Sequence, residues 1–381
     1  MGPKTNESAQ FLSPDGILCR MHRNITITAI LMSLLGLSAH AQTPLTHPVV
    51  SLDPTFAKLV SPDARLETVA RGFGFTEGNT WVQHGKTGYL LFVDIPANNV
   101  YKMTPDGKVS IYLKNSGQHP ALNGDEMMHL GGLRDNSKPR TDPEFRQFIN
   151  IGADGLTLDP QGRLLLCTYS GRSVVRLEKD GRRTLLADRF DGKQFNGTND
   201  VIVKRDGAIY FTDTWGGLRD GDKDSYAGLD KNGVFLLKNG KLSFIVQDMP
   251  TVNGLALSPD EKTLYVNSGR SNIIRAYNVA TDDSVSNGRL FIDQSADKTF
   301  GYTDGMRVDS RGNIYATGPG GIWITSAGGK HIGTILVPEK ASNLTFGDPD
   351  YKTLYIDGST SIYKIRVLTP GLTCNSCSPP Q

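Results

Sequence analysis

Asn253-Gly-Leu-Ala-Leu-Ser-Pro-Asp-Glu-Lys-Thr-Leu264 combines an oxygen-bearing residue, a short apolar-alternating strand, a Ser-Pro-Asp turn and the start of a second strand. The same order recurs in Asp154-Gly-Leu-Thr-Leu-Asp-Pro-Gln-Gly-Arg-Leu, Asn199-Asp-Val-Ile-Val-Lys-Arg-Asp-Gly-Ala-Ile and Asp304-Gly-Met-Arg-Val-Asp-Ser-Arg-Gly-Asn-Ile. Glu77 and Ser342 open two further, less regular copies. Self-similarity at roughly 40–50 residues, built from short strands and turns, predicts propeller blades.

The turn signals extend the pattern outward: Pro105-Asp-Gly, Asp180-Gly, Asp206-Gly and Asp348-Pro-Asp. Between them lie β-rich runs such as Leu90-Leu-Phe-Val, Ile209-Tyr-Phe-Thr, Leu264-Tyr-Val, Ile314-Tyr-Ala-Thr and Leu354-Tyr-Ile. The 42 glycines suit a chain with many tight turns. The expected fold is therefore all-β: a six-bladed β-propeller with four-stranded blades over residues 63–368. The irregular gap after the first blade predicts an insertion at about 117–150, holding Gln118-His-Pro, Met127-Met-His and Asp142-Pro-Glu. Leu66-Glu-Thr-Val-Ala is expected to close the ring beside Ile362-Tyr-Lys-Ile-Arg-Val, hiding the sheet edges.

The flanks read differently. Residues 1–20 resemble an upstream extension before a start at Met21. Met21-His-Arg-Asn, the apolar run from Ile25 to Ser38 and Ala39-His40-Ala41 have the layout of a signal peptide over 21–41. An exported, periplasmic or secreted protein is expected, with no stable membrane insertion after cleavage. Residues 42–62 read as a Pro-rich linker and 369–381 as a tail. Cys167 sits in an apolar run and reads as a buried free thiol; Cys374-Asn-Ser-Cys377 reads as a local disulfide rather than zinc ligands.

The 381 residues carry a net charge of +2, which gives no electrostatic case for a nucleic-acid or anionic-membrane partner. No nucleophile elbow, P-loop, His-Glu-x-x-His or dinucleotide fingerprint occurs. No feature specifies an oligomeric state.

In a radial arrangement Glu77, Asp154, Asn199, Asn253 and Asp304 converge on the axis. Asp and Asn before Gly are ordinary turn residues, but Glu77 in Phe75-Thr-Glu-Gly-Asn-Thr-Trp81 answers no turn requirement. Three carboxylates at a channel mouth repel unless a cation neutralises them. Convergent carboxylate and amide oxygens suit a hard divalent cation, so a central metal site is expected, with Ca²⁺ preferred over Zn²⁺, Mg²⁺ or Mn²⁺.

Phe75-Thr-Glu-Gly-Asn-Thr-Trp, Leu91-Phe-Val-Asp-Ile-Pro-Ala-Asn-Asn-Val-Tyr, Leu186-Ala-Asp-Arg-Phe-Asp-Gly-Lys, Thr198-Asn-Asp-Val-Ile-Val-Lys and Thr303-Asp-Gly-Met-Arg-Val-Asp carry a resemblance. So do Gly155-Leu-Thr-Leu-Asp-Pro-Gln-Gly-Arg-Leu, Ile209-Tyr-Phe-Thr-Asp and Asn253-Gly-Leu-Ala-Leu-Ser-Pro-Asp. Together, from about residue 65 to 367, they resemble the senescence marker protein/gluconolactonase/luciferin-regenerating-enzyme family. The resemblance implies a six-bladed propeller with an axial divalent cation, often Ca²⁺, and hydrolysis of a sugar lactone. It implies Glu77, Asn199, Asn253 and Asp304 as metal ligands, with Asn199 holding cation or substrate. Asp304 is implied as the catalytic acid/base, while Asp154 and Trp215 stand at substrate-binding positions. Asp154 departs from the Asn that bacterial relatives often carry there. Tyr169, Arg172 and Arg270, which follow second strands, are further candidates to meet sugar hydroxyls. Two other functions fit the same residues: a phosphotriesterase-like or other ester hydrolase, and an exported binding propeller with a structural ion.

Overall fold

Each repeat folds as a four-stranded antiparallel sheet, and the reason for its sequence pattern is burial. In the computed structural model, which describes residues 47–121, 132–135, 141, 147–249 and 251–372, the second strand of each blade is apolar on both faces. Leu164–Cys167, Ile314–Gly318 and Thr353–Asp357 are buried at every position. Such strands lie between two neighbouring blades, so neither face meets water. Fourth strands sit at the rim; Arg183–Ala187 and Val285–Asp293 are correspondingly polar and more exposed.

Five blades are sequential hairpin runs, starting at Thr76, Leu156, Thr198, Leu255 and Met306. The sixth combines Asn343–Gly347, Thr353–Asp357 and Ser361–Arg366 with Glu67–Arg71 as its outermost strand. Thr68 lies opposite Tyr363 and Ala70 opposite Ile362, with a bulge between. The innermost strands touch in a closed ring, blade 1 against blade 2 and blade 6 back against blade 1. At that last junction Trp81 stacks on Tyr355, centroids 5.7 Å apart and planes 9° apart.

Local chemistry fixes the turns. Asp159 Oδ1 accepts from the backbone N–H of Gln161 and Arg163 at 3.0 and 2.9 Å, and Gly162 takes φ +72°. Asp309 repeats this with Arg311 and Asn313 at 2.8 and 2.9 Å, and Gly312 takes φ +84°. Only glycine adopts that conformation without strain, so the Asp-x-x-Gly signature is the turn itself.

The segment expected to be a linker is structured from residue 47. Val49–Ser51 adds a fifth strand to blade 5, with Val49 opposite Ile335. Pro54–Lys58 forms a 3₁₀ turn capped by Asp53, whose carboxylate accepts from the Thr55 N–H at 2.8 Å. Phe56 is buried against Gly333, where a Cβ would meet its ring at 2.3 Å. Pairing to an open blade edge, invisible in the local sequence, makes the difference. The start of the expected tail is likewise fixed: Gly371 bridges Asp309, and the Leu372 N–H donates to Val308 O at 3.0 Å. The insertion holds a hairpin of Gly132–Asp135 and Gln147–Asn150, whose first strand runs beside the Trp215–Gly217 turn. The upstream extension, the signal peptide, His129 and the Cys374/Cys377 pair lie outside the described residues. Cys167 is a buried free thiol.

Candidate functional site at the propeller axis

The residue that opens each innermost strand is held by its own blade and turned toward the axis. Asp154 N–H donates to Cys167 O at 2.8 Å, and Asn253 N–H to Asn267 O at 3.0 Å. Asp304 N–H donates to Thr317 Oγ1 at 2.7 Å. The next residue abuts the following blade: Gly155 N–H reaches Asn199 O at 2.7 Å, and Gly305 N–H reaches Ser342 O at 2.8 Å. Glycine is required by this approach. A Cβ on Gly254 would meet Asp304 O at 2.1 Å. Gly254→Ala should therefore lower stability by about 2–3 kcal/mol, read as a lower Tm.

Glu77, Asp154, Asn199, Asn253 and Asp304 line one cavity of about 710 Å³. Trp215, Tyr169 and Arg270 line it as well, with Phe75, Arg219 and Tyr302. Arg172 does not. It is buried, and its guanidinium donates to Phe195 O, bracing blade 2 against blade 3. His119 is also buried, with Nε2 3.5 Å from the Asp188 carboxylate.

The sixth blade departs from the sequence alignment. Ser342 is buried and donates through Oγ to Thr76 O at 2.7 Å, so it supplies no axial oxygen. Asn343 takes part instead, its amide N–H donating to Glu77 Oε2 at 2.9 Å. Blade 6 thus orients Glu77. The clue was an Asn standing where four other blades carry Gly and blade 3 carries Asp200. Between the neighbouring blades 2 and 3, Asn199 Nδ2 donates to Asp154 Oδ2 at 2.6 Å. That contact uses the amide nitrogen of Asn199, not its oxygen.

Carboxylates crowd one another at the axis. Burial pushes the Glu77 carboxyl well above the ordinary range, and the nearby Asp304 and Asp154 push it further. Below them Asp357 is pushed up to about 8 by burial, against the pull of Arg307. Among the described residues no three His, Cys, Asp or Glu side chains form a metal cluster by themselves; the axial oxygens are a mixed carboxylate and amide set.

Asp213 braces this set from blade 3. Its carboxylate accepts from Asn196 N–H at 2.9 Å and Gly197 N–H at 2.8 Å, fixing the turn that delivers Asn199. Burial pushes its carboxyl up to about 7, with those N–H groups and Arg172 opposing. A folded-state value above the unfolded one means stability is lost as pH rises from about 4 to 7. Asp213→Asn lacks this titration. Its Tm relative to the parent should therefore rise between pH 5 and pH 8, by the equivalent of about 3 kcal/mol.

Residues 75–360 match the family model described as the SMP-30/Gluconolactonase/LRE-like region. A gluconolactonase from Zymomonas mobilis is 32% identical over 337 residues, which is 85% of this chain and 87% of that protein. Regucalcin from Xenopus laevis is 35% identical over 323 residues, 78% of this chain and 89% of that one. A solved gluconolactonase structure from Xanthomonas campestris superposes with a TM-score of 0.69 at 27% identity, covering 86% of this chain and 97% of the other. The axial oxygens, the closed ring of blades and these matches agree: the chain belongs to the SMP-30/gluconolactonase/LRE-like family.

Proposed function

We propose that this protein is a carboxylic ester hydrolase that opens a sugar lactone of the gluconolactone kind. The observation that carries the reading is the convergence of Glu77, Asp154, Asn199, Asn253 and Asp304 on one cavity, in a chain 32% identical to a gluconolactonase over most of its length. A cavity of about 710 Å³ accommodates a monosaccharide lactone, and the apolar face of Trp215 offers a wall for the sugar ring.

The axial residues fit a divalent cation. All the donors are hard oxygens, and the crowding of Glu77 by Asp304 and Asp154 is the charge excess that such an ion relieves. Glu77, Asn199, Asn253 and Asp304 would hold it, with Ca²⁺ the first choice before Mg²⁺, Mn²⁺ and Zn²⁺. When bound, the ion supplies Lewis-acid polarisation of the lactone carbonyl. Asp304 takes a proton from the attacking water as its oxygen bonds to the carbonyl carbon. The ring C–O bond then breaks, and Asp304 returns that proton to the departing alkoxide, giving the open hydroxy acid. Asp154, through Asn199, fixes the amide that faces the substrate. The signal-peptide layout of residues 21–41 supports export, with the reaction in the periplasm or outside the cell.

The test is a panel of sugar lactones, aromatic lactones and organophosphates, with hydrolysis followed by acid release. Sugar lactones should be opened fastest. Preference for an organophosphate, or no hydrolysis of any sugar lactone above the buffer rate, would overturn the reading.

A further inference from the structure

Lys340 is a buried cation beside the cavity, only 4% exposed. Its ammonium donates to the Tyr302 hydroxyl at 2.7 Å. It also lies 4.5 Å from the ring centroid of Phe75 and 4.4 Å from that of Tyr302. Its neighbour Glu339 faces elsewhere, accepting from Thr360, Ser361 and Tyr363. None of the ion pairs among the described residues includes Lys340. Burying an ammonium without a carboxylate is costly, and two aromatic faces and one phenol compensate only in part.

The direction of the bond decides what Tyr302 can do. An ammonium has no acceptor, so Lys340 must donate and the phenol oxygen must accept. The phenol hydrogen is then turned away from Lys340. Tyr302 lines the cavity two residues before Asp304 on the same extended segment, and its ring edge rests on Gly269, where a Cβ would lie 3.3 Å away. The ring is therefore fixed on one side by the blade 4 backbone and at its hydroxyl by Lys340.

We infer that Tyr302, positioned by Lys340, donates a hydrogen bond to the substrate oxygen on which negative charge grows as the lactone opens. The inference deepens the proposed hydrolysis and rests on it. Donors aimed at developing charge act mainly on the transition state, so the effect belongs in kcat. Lys340 touches no substrate atom in this scheme; it acts through the Tyr302 hydroxyl.

The experiment compares Tyr302→Phe, Lys340→Met, Lys340→Arg and the double variant Tyr302→Phe/Lys340→Met on the best lactone, with Tm as the check on folding. Tyr302→Phe should lower kcat by about 10²-fold with KM nearly unchanged. Lys340→Met should lower kcat by about tenfold, Lys340→Arg should recover most of it, and the double variant should be no slower than Tyr302→Phe. Parental kcat in Tyr302→Phe overturns the donor role. A loss on adding Lys340→Met to Tyr302→Phe, as large as in the parent, overturns the coupling. If Lys340→Met does not fold, Tyr302→Phe and Lys340→Arg decide. A parent that opens no lactone refutes the hydrolase reading instead. In that case calorimetric binding of gluconate, whose carboxylate offers an anionic oxygen to the phenol, still tests the pair: about tenfold weaker binding by Tyr302→Phe supports it and equal binding overturns it.

Discussion

Asp304→Ala is expected to lower kcat for lactone opening by about 10³-fold or more while leaving the propeller folded. The backbone at this position is held without the carboxylate: its N–H donates to Thr317 Oγ1 at 2.7 Å, and its C=O accepts from the Asn267 amide. Alanine therefore occupies the site without moving the strand. Losing a general acid/base typically costs 10²–10⁴-fold, and losing a cation ligand at the same atom adds to that. The stability change should run the other way. Asp304 is the largest charge neighbour raising the Glu77 carboxyl, so its removal relieves repulsion. The cation-free variant should melt at or above the parent temperature. Asp304→Asn separates the two roles, because an amide oxygen ligates a cation but takes no proton. At saturating Ca²⁺ it should bind the ion and remain slow. A parental rate in Asp304→Ala would refute the acid/base assignment.

Removing divalent cations with a chelator is expected to take hydrolysis to the buffer rate, and added Ca²⁺ should restore it. The physical reason is the crowding of carboxylates: Glu77, Asp154 and Asp304 share one cavity with Arg219 and Arg270, and it is Asp304 and Asp154 that act on the Glu77 carboxyl and raise it. A ligand that binds only the folded state at 100 times its Kd stabilises by about 2.7 kcal/mol. The melting temperature should accordingly rise by roughly 5 °C on adding the ion. The raised Glu77 carboxyl gives this a pH signature. Ion and proton compete for the Glu77 carboxylate, so the apparent Kd should weaken as pH falls, whereas Glu77→Gln should flatten that dependence. Full activity in chelator would leave the axial oxygens a structural role and sink the cation mechanism.

Much of the architecture was legible because the propeller repeats its chemistry. Asp159 and Asp309 build the same turn, and the doubly buried second strands read as unbroken apolar runs. The closing strand at Glu67–Arg71 was legible for the same reason, since blade 6 otherwise lacks an outer strand. Blade 6 itself was harder. Elsewhere a Gly or Asp follows the axial residue, and in Ser342-Asn343 the register is ambiguous by one residue, which inverts the side chains. Only the contact of Asn343 with Glu77 resolves it. Val49–Ser51 was illegible because three residues beside prolines carry no strand signal; the exposed edge of blade 5 recruits them. The five axial residues were found from sequence, but not that Asp154 orients Asn199. Nor was Lys340, a lone lysine after Pro-Glu in a loop, distinguishable from a surface residue. Arg172 looked like a pocket residue from its place after a second strand, and a left-handed φ of 57° carries it into the interior instead.

The clasp of Glu67–Arg71 on Ser361–Arg366 has a kinetic consequence. Nearly the whole chain must be made before its early strand finds its last partner, so the ring-closing contacts are among the longest-range in the molecule. Folds dominated by such contacts form slowly, because loop-closure entropy is lost before the contacts repay it. The same topology couples the two ends on the way out. Prying off either one bares the edge of blade 6 and the Trp81–Tyr355 stack beside it, so loss of one terminus is expected to propagate around the ring as a single event. The axial oxygens converge only while that clasp is shut.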